Sequence, residues 1–339
     1  MGNRVAEDPR IDPRLKAMFA DWTPPILPDI ESREALMAML AGAGEGMLGM
    51  AMEDAPYEAA VPSAGLSVRT EAIRSEPDGN SINLRIVTPD GAGPFACVYY
   101  IHGGGMMAAS CTDPNYRAWA RLIAAQGVVV VAVDFRNALT PSSVPEVAPY
   151  PAGLNDCASG LRWVHAHAAE LNIDPARIVI EGESGGANLT IATALKLKRE
   201  GDIGLVKGLY VGCPYLAGEW PGAEGSSALG NAGILMDVRS NFGAMVYGIE
   251  GLRARDPLAW PGFATEADVA GLPPVVVTVN ECDPLRDDGV DFYRLLLRAG
   301  VPARCKELIG TVHGTEIYIL PCPEISRDAA RDIAAFARE

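Results

Sequence analysis

Arg177-Ile-Val-Ile-Glu-Gly182-Glu-Ser184-Gly-Gly186-Ala-Asn-Leu-Thr-Ile-Ala-Thr-Ala-Leu-Lys-Leu-Lys198 is the stretch from which the fold can be read. A short β-branched run, Ile178–Glu181, leads straight into Gly182-Glu183-Ser184-Gly185-Gly186, and a helical pattern, Ser184–Arg199, follows at once. A strand that reverses into a helix within so few residues needs glycine where backbones approach closely. A serine on that turn is lifted above the sheet at a helix N-terminus, whose field favours developing negative charge. Ser184 is therefore the candidate nucleophile. The competing reading is a glycine-rich turn in which Ser184 only caps the helix; the strand before it and the helix after it favour the nucleophile.

Outward from this turn the punctuation is regular. Leu66–Arg74 and Ser81–Val87, separated by Asp78-Gly79-Asn80, read as an antiparallel hairpin. Further strands are expected at Ala96–Ile101, Val128–Asp134, Val206–Gly212, Val275–Val279 and Arg304–Leu308. Helices are expected near Pro114–Gln126, Gly153–Leu171, Asp287–Ala299 and Ser326–Ala337. Short, wholly apolar strands alternating with helices predict an α/β fold whose mostly parallel sheet is buried on both faces. Two parts stand outside this rhythm. Residues 1–60 carry a Met- and Ala-rich helix near Glu34–Met52 between proline-rich connections, and about 60 residues, Tyr215–Pro274, carry a helix near Val238–Tyr247. Together they are read as a two-part helical cap on a catalytic domain made of 61–214 and 275–339.

A serine nucleophile needs a base, an acid to orient that base, and donors for an oxyanion. His102-Gly103-Gly104-Gly105 directly follows the strand ending at Ile101, so several backbone N–H groups are free to point into a site. No G-x-G-x-x-G opens a helix there, which argues against a dinucleotide site. His102 belongs to this loop and reads as a structural hydrogen-bonder. His165 and His167 lie two apart on a helix and face different ways, so they form no metal pair. His313, in Gly310-Thr-Val-His-Gly314, is the histidine that remains. The acid should lie between nucleophile and base in the chain. Asp283 fits, at the end of a strand and before Pro284, with Glu281 as competitor and with Asp287 and Asp288 read as first-turn helix residues.

At this point the chain resembles the hormone-sensitive-lipase-like branch of the α/β-hydrolases, the bacterial family IV esterases. His102–Gly105, Val133-Asp134-Phe135-Arg136, Asn172–Ile178, Asp256-Pro257 and Asp283-Pro-Leu-Arg-Asp287 match its motifs in order, over roughly residues 80–338. The resemblance implies the α/β-hydrolase fold with a two-segment cap, and hydrolysis of short-acyl esters without a cofactor or metal. It gives Ser184 the nucleophile's role, Asp283 the orienter's and His313 the base's, with oxyanion donors at Gly103, Gly104, Gly105 and Gly185. The elbow reads GESGG where most of the family has GDSAG, which is similar to a smaller, brefeldin A esterase-like subgroup. Phe135–Pro141 and Thr315 also depart from the family pattern, and all three departures bear on the pocket. An amide or carbamate hydrolase would use the same residues, and a ligand receptor on this fold would lack the need for His313.

Composition excludes other classes. With 28 basic and 43 acidic residues the formal charge is −15, which repels nucleic acid and anionic lipid surfaces. The expected partner is a small-molecule ester, with no nucleic acid and no membrane; a homodimer is left open. Seven cysteines (Cys97, Cys111, Cys157, Cys213, Cys282, Cys305 and Cys322) form no CxxC pair and no zinc spacing. Their placement in apolar runs fits a reducing cytoplasm. The charged N-terminus lacks the apolar core of a signal peptide, and no apolar run approaches the ~18 residues of a membrane span.

Overall fold

In the computed structural model, which describes residues 3–43, 53–220 and 223–339, the apolar runs form strands β1 (Leu66–Arg74), β2 (Ser81–Pro89), β3 (Phe95–Ile101), β4 (Val129–Asp134), β5 (Ile173–Glu183), β6 (Gly208–Gly212), β7 (Val275–Asn280) and β8 (Ala303–Leu308). They pair in the order β1-β2-β4-β3-β5-β6-β7-β8. The hairpin β1–β2 is antiparallel and joins β4 antiparallel, whereas every pairing from β4 to β8 is parallel.

The alternation of side chains across a strand explains why these runs are apolar throughout. On β4, Val129, Val131 and Val133 join one core with Leu161, Leu189 and Leu296 from the helices Ala152–Ala166, Gly185–Glu200 and Arg286–Arg298. Val130 and Ala132 face the opposite core, against Trp119, Ile123, Ile333 and Phe336 from the helices Pro114–Ala124 and Pro323–Arg338. The sheet is therefore covered on both sides, as expected. β8 is an edge strand, and its exposed-to-partly-buried alternation follows from having a neighbour on one side only.

The N-terminal helix spans Arg33–Ala43; the remainder of the Glu34–Met52 expectation lies outside the described residues. In the insertion the helix begins at Phe242 rather than near Val238. Asn241 explains the late start. Its N–H bonds Asp29, and its side chain closes two bonds with the backbone of Ile30. With its N–H given to Asp29, Asn241 stands at the helix N-cap, and its carbonyl takes the Met245 N–H at 2.8 Å.

One buried charge network fastens the hairpin to the rest. Asp156, fully buried on the helix Ala152–Ala166, accepts from the Arg136 backbone N–H (2.9 Å) and its Nε (2.8 Å) just past β4, from Ser75 Oγ (2.6 Å) after β1, and from Asn80 Nδ2 (3.2 Å). Removing one partner of a buried ion pair leaves the other charge uncompensated, at a cost of about 3–5 kcal/mol. Asp156→Ala should lower unfolding free energy by about that amount in urea titration and leave the residual activity of folded molecules close to wild type.

Candidate active site

The four loops that matter leave the C-terminal ends of parallel strands, the usual location of ligand sites in open α/β sheets. β3 delivers His102–Gly105, β5 delivers Ser184, β7 delivers Asp283, and β8 delivers His313. At the elbow Ser184 has φ 57° and ψ −119°, a conformation that non-glycine residues rarely adopt. Its frame is held by its N–H on Gly212 O (2.9 Å) and by the Tyr215 and Asn188 N–H groups on its own carbonyl. Close approach dictates the flanking glycines. A Cβ on Gly186 would lie 2.0 Å from Ile101 O, and one on Gly182 would lie 2.7 Å from the same atom.

These loops bring the three predicted side chains together. His313 Nδ1 lies 2.7 Å from Asp283 Oδ2, and His313 Nε2 lies 2.8 Å from Ser184 Oγ. Asp283 is fully buried, with its other oxygen taking the Leu285 N–H at 2.8 Å. Its carboxylate is thereby aimed at the imidazole by its own turn. Glu281, the competing acid, instead accepts the Gly310 N–H at 2.8 Å and so closes the loop that carries the histidine. Cys213, Asp283 and His313 form the one trio of possible metal ligands among the described residues. Burial pushes the Cys213 thiol well up, and His313 Nδ1 is engaged by Asp283, so the trio is a poor ligand set.

The glycine loop lies against the elbow. Gly104 and Gly105 take φ 92° and 65°, the left-handed region that glycine occupies at least cost. His102 anchors the loop's root, as expected of it. Its ring stacks on Phe135 at 4.4 Å, its Nδ1 is 2.9 Å from Gly103 O, and its Nε2 is 3.6 Å from Asp134. Burial pushes the Asp134 carboxyl up, but His102 and the N–H groups of Ser143 and Cys111 outweigh it and hold it at about 2. One expected donor must be withdrawn. Gly103 gives its N–H to Glu183 Oε1 at 2.6 Å, inside the protein, and cannot also serve an oxyanion.

Above Ser184 is a cavity of about 840 Å³. Trp22, Pro24, Pro25 and Leu27 line it from the N-terminal segment, and Met236, Val238 and Phe242 from the insertion. The two segments also join directly, Trp22 Nε1 donating to Leu235 O at 2.9 Å.

A scan of family models places residues 98–317 in a family described as having the alpha/beta hydrolase fold. The chain belongs to that alpha/beta hydrolase family. It is 35% identical over 253 residues to the carboxylesterase NlhH of Mycobacterium tuberculosis, covering 71% of this chain and 73% of that one. Among solved structures it is similar to esterase Est22, with 54% identity, a TM-score of 0.92, and coverage of 98% and 99% of the two chains. It also resembles brefeldin A esterase, a bacterial homologue of human hormone-sensitive lipase, with 35% identity, a TM-score of 0.86, and coverage of 99% and 95%.

The structure explains the departure of this family member's elbow at Gly185. A Cβ there would meet Met106 N at 2.6 Å and Gly105 Cα at 2.7 Å, so the glycine loop approaches closer than an alanine would allow.

Other residues at the site gave no signal in the sequence. Residues 3–22 do more than wall the cavity. Leu15 and Phe19 pack with Cys282 and Val312, each adjacent to a predicted site residue, and Asp12 N–H bonds Gly310 O at 2.9 Å. Asp288 also does more than occupy a first helical turn. It is partly buried, and it accepts from Leu216 N (2.9 Å), Ala217 N (3.0 Å) and Trp220 Nε1 (2.9 Å), pinning the start of the insertion beside the cavity-lining Tyr215. Burial pushes its carboxyl up to about 7, despite these three donors. Neither role has a local pattern, since both depend on contacts more than sixty residues apart. Asp288→Ala would leave three donors without an acceptor, at about 1–3 kcal/mol for each that stays dry. It should raise KM severalfold while kcat changes little, and steady-state kinetics at saturating and limiting ester would separate the two.

Proposed function

We propose that this carboxylic ester hydrolase works through an acyl-enzyme on Ser184, with His313 as base and Asp283 as its orienting acid. The observation that carries the reading is the continuous line Asp283–His313–Ser184, with links of 2.7 and 2.8 Å, at the floor of a cavity large enough for a small ester. His313 Nε2 takes the Ser184 proton as Oγ attacks the ester carbonyl. Asp283 holds the tautomer with the proton on Nδ1 and stabilises the imidazolium. The N–H groups of Gly104, Gly105 and Gly185 receive the oxyanion. His313 then returns the proton to the leaving alcohol, and water repeats the sequence on the acyl-enzyme.

In this reading the parts of 1–60 and 215–274 that wall the cavity act as a cap, while the helix Asp54–Ala60 braces the flank through Arg117 and Arg121. All seven cysteines are free, which supports a cytoplasmic location. Among the described residues no helix is long and apolar enough to cross a membrane.

Ser184→Ala and His313→Ala should each lower kcat by on the order of 10⁴–10⁶, and the double variant should be little worse, because the residues act as a unit. Asp283→Asn should lose far more activity than Glu281→Gln. Hydrolysis of p-nitrophenyl butyrate by folded variants checks all five, and near-wild-type turnover in Ser184→Ala or His313→Ala would remove the mechanism.

The acyl group is proposed to be short. Among the described residues the large exposed apolar side chains, such as Ile26, Leu229 and Ile309, come singly from separate stretches of the chain. The formal charge of −15 opposes anionic interfaces as well. Activity on p-nitrophenyl esters should peak at about two to six acyl carbons, since each buried CH₂ contributes only ~0.8 kcal/mol before space runs out. Strong activity on emulsified triglyceride, rising beyond the solubility limit, would contradict this.

A further inference from the structure

Beside the elbow, in a chamber that shares Glu183, Gly314 and Ile317 with the lining of the large cavity, three glutamates are buried together: Glu181 and Glu183 on β5 and Glu316 after His313. The acyl-transfer chemistry uses none of them. They line a chamber of about 20 Å³ with Trp119, Thr278 and Gly314. A volume above roughly 10–15 Å³ holds one water if it offers two to four polar partners. Glu181 Oε2 and Glu183 Oε2 lack a protein hydrogen bond of good geometry here, and so does Trp119 Nε1, although the indole faces the Glu181 carboxyl. Glu316 is otherwise engaged, taking Thr278 Oγ1 and Asn280 Nδ2 at 3.2 Å each.

The opposite oxygen of Glu183 points at the glycine loop. Oε1 takes the Gly103 N–H at 2.6 Å and the Tyr100 hydroxyl at 3.2 Å. Gly103 immediately precedes the two glycines whose N–H groups face the reacting carbonyl, so its position sets theirs. We propose that Glu183 is the positioning residue of the oxyanion loop, and that one structural water, bridging it to Glu181 and Trp119, holds its side chain in place.

Burial pushes the Glu183 carboxyl up, which favours the neutral acid. Its carbonyl oxygen then accepts from Gly103 and Tyr100, and its O–H donates to the water. The water accepts a second hydrogen bond from the Trp119 indole and donates one to Glu181. Glutamine reproduces this pattern, with an acceptor oxygen toward Gly103 and an N–H toward the water. Alanine reproduces neither.

This inference rests on the oxyanion role given to Gly104, Gly105 and Gly185, so wild-type turnover of p-nitrophenyl butyrate and fluorophosphonate labelling of Ser184 are measured first. Their failure would remove the hydrolase reading itself. With both in hand, Glu183→Ala should lower kcat by about 10- to 100-fold, somewhat less than deleting an oxyanion donor outright, with KM within about threefold of wild type. Affinity for a trifluoromethyl ketone, which forms the tetrahedral adduct with Ser184, should fall in the same proportion. Glu183→Gln should stay within about threefold of wild type on both readouts. Should Glu183→Ala not fold, Trp119→Phe removes one anchor of the water and should lower kcat about fivefold, the worth of one hydrogen bond. A high-resolution crystal structure of the wild type should show one water bound to Glu181, Glu183 and Trp119. Unchanged kcat and unchanged ketone affinity in a folded Glu183→Ala would overturn the positioning role, a loss in Glu183→Gln equal to that in the alanine variant would overturn the acceptor argument, and a chamber without water density would overturn the bridge.

Discussion

The approach of two backbones, the end of β3 and the turn after β5, governs the rest of this molecule. Gly186 and Gly182 lie so near the Ile101 carbonyl that neither tolerates a Cβ, and Gly185 lies equally near Gly105 and Met106. That contact forces Ser184 into its strained conformation and lifts its hydroxyl above the sheet. The same contact sets the glycine loop beside the serine. The positions of Ser184 and of the glycine loop are thus two consequences of a single packing event, and a methyl group at any of the three glycines would separate them.

Around that contact specific partners hold several polar groups. Asp283 is aimed by Leu285 N–H, His102 Nδ1 lies against Gly103 O, and the Gly103 N–H is held by Glu183. A buried polar atom without a partner is costly, so each of these bonds fixes a geometry. The strain at Ser184 persists because its neighbours over-determine it. A preorganised site of this kind needs no rearrangement as charge develops on the substrate oxygen.

The cavity is formed differently. Its floor belongs to the sheet, but its walls come from an N-terminal segment and an insertion that hold each other through Asn241 with Ile30 and Trp22 with Leu235. Both are tied down near the site, by Asp12 on Gly310 and by Asp288 on Leu216, Ala217 and Trp220. Walls and floor thus come from separate stretches of the chain, yet the walls brace the loops that carry Asp283 and His313. A change in the N-terminal segment reaches the site by way of Leu15 and Phe19 against Cys282 and Val312.

The strands and helices of the catalytic domain could be read from the chain because their cause is local. A wholly apolar β-branched run has no stable place except a sheet covered on both sides, and a glycine-flanked serine between strand and helix has few backbone options. Order along the chain and the small number of histidines pointed to Asp283 and His313, and the geometry brings those side chains to within hydrogen-bond distance of each other and of Ser184. What periodicity cannot carry is the identity of partners across long separations. That Gly103 would give its N–H to Glu183, that Asp288 would hold the insertion, and that residues 3–22 would back the catalytic loops were decided only by tertiary packing. The physical reason is that a hydrogen bond between residues 72 or 80 positions apart leaves no trace in either segment's own pattern. The chain alone determined which chemistry its residues could perform; folding decided which N–H groups were left free to perform it.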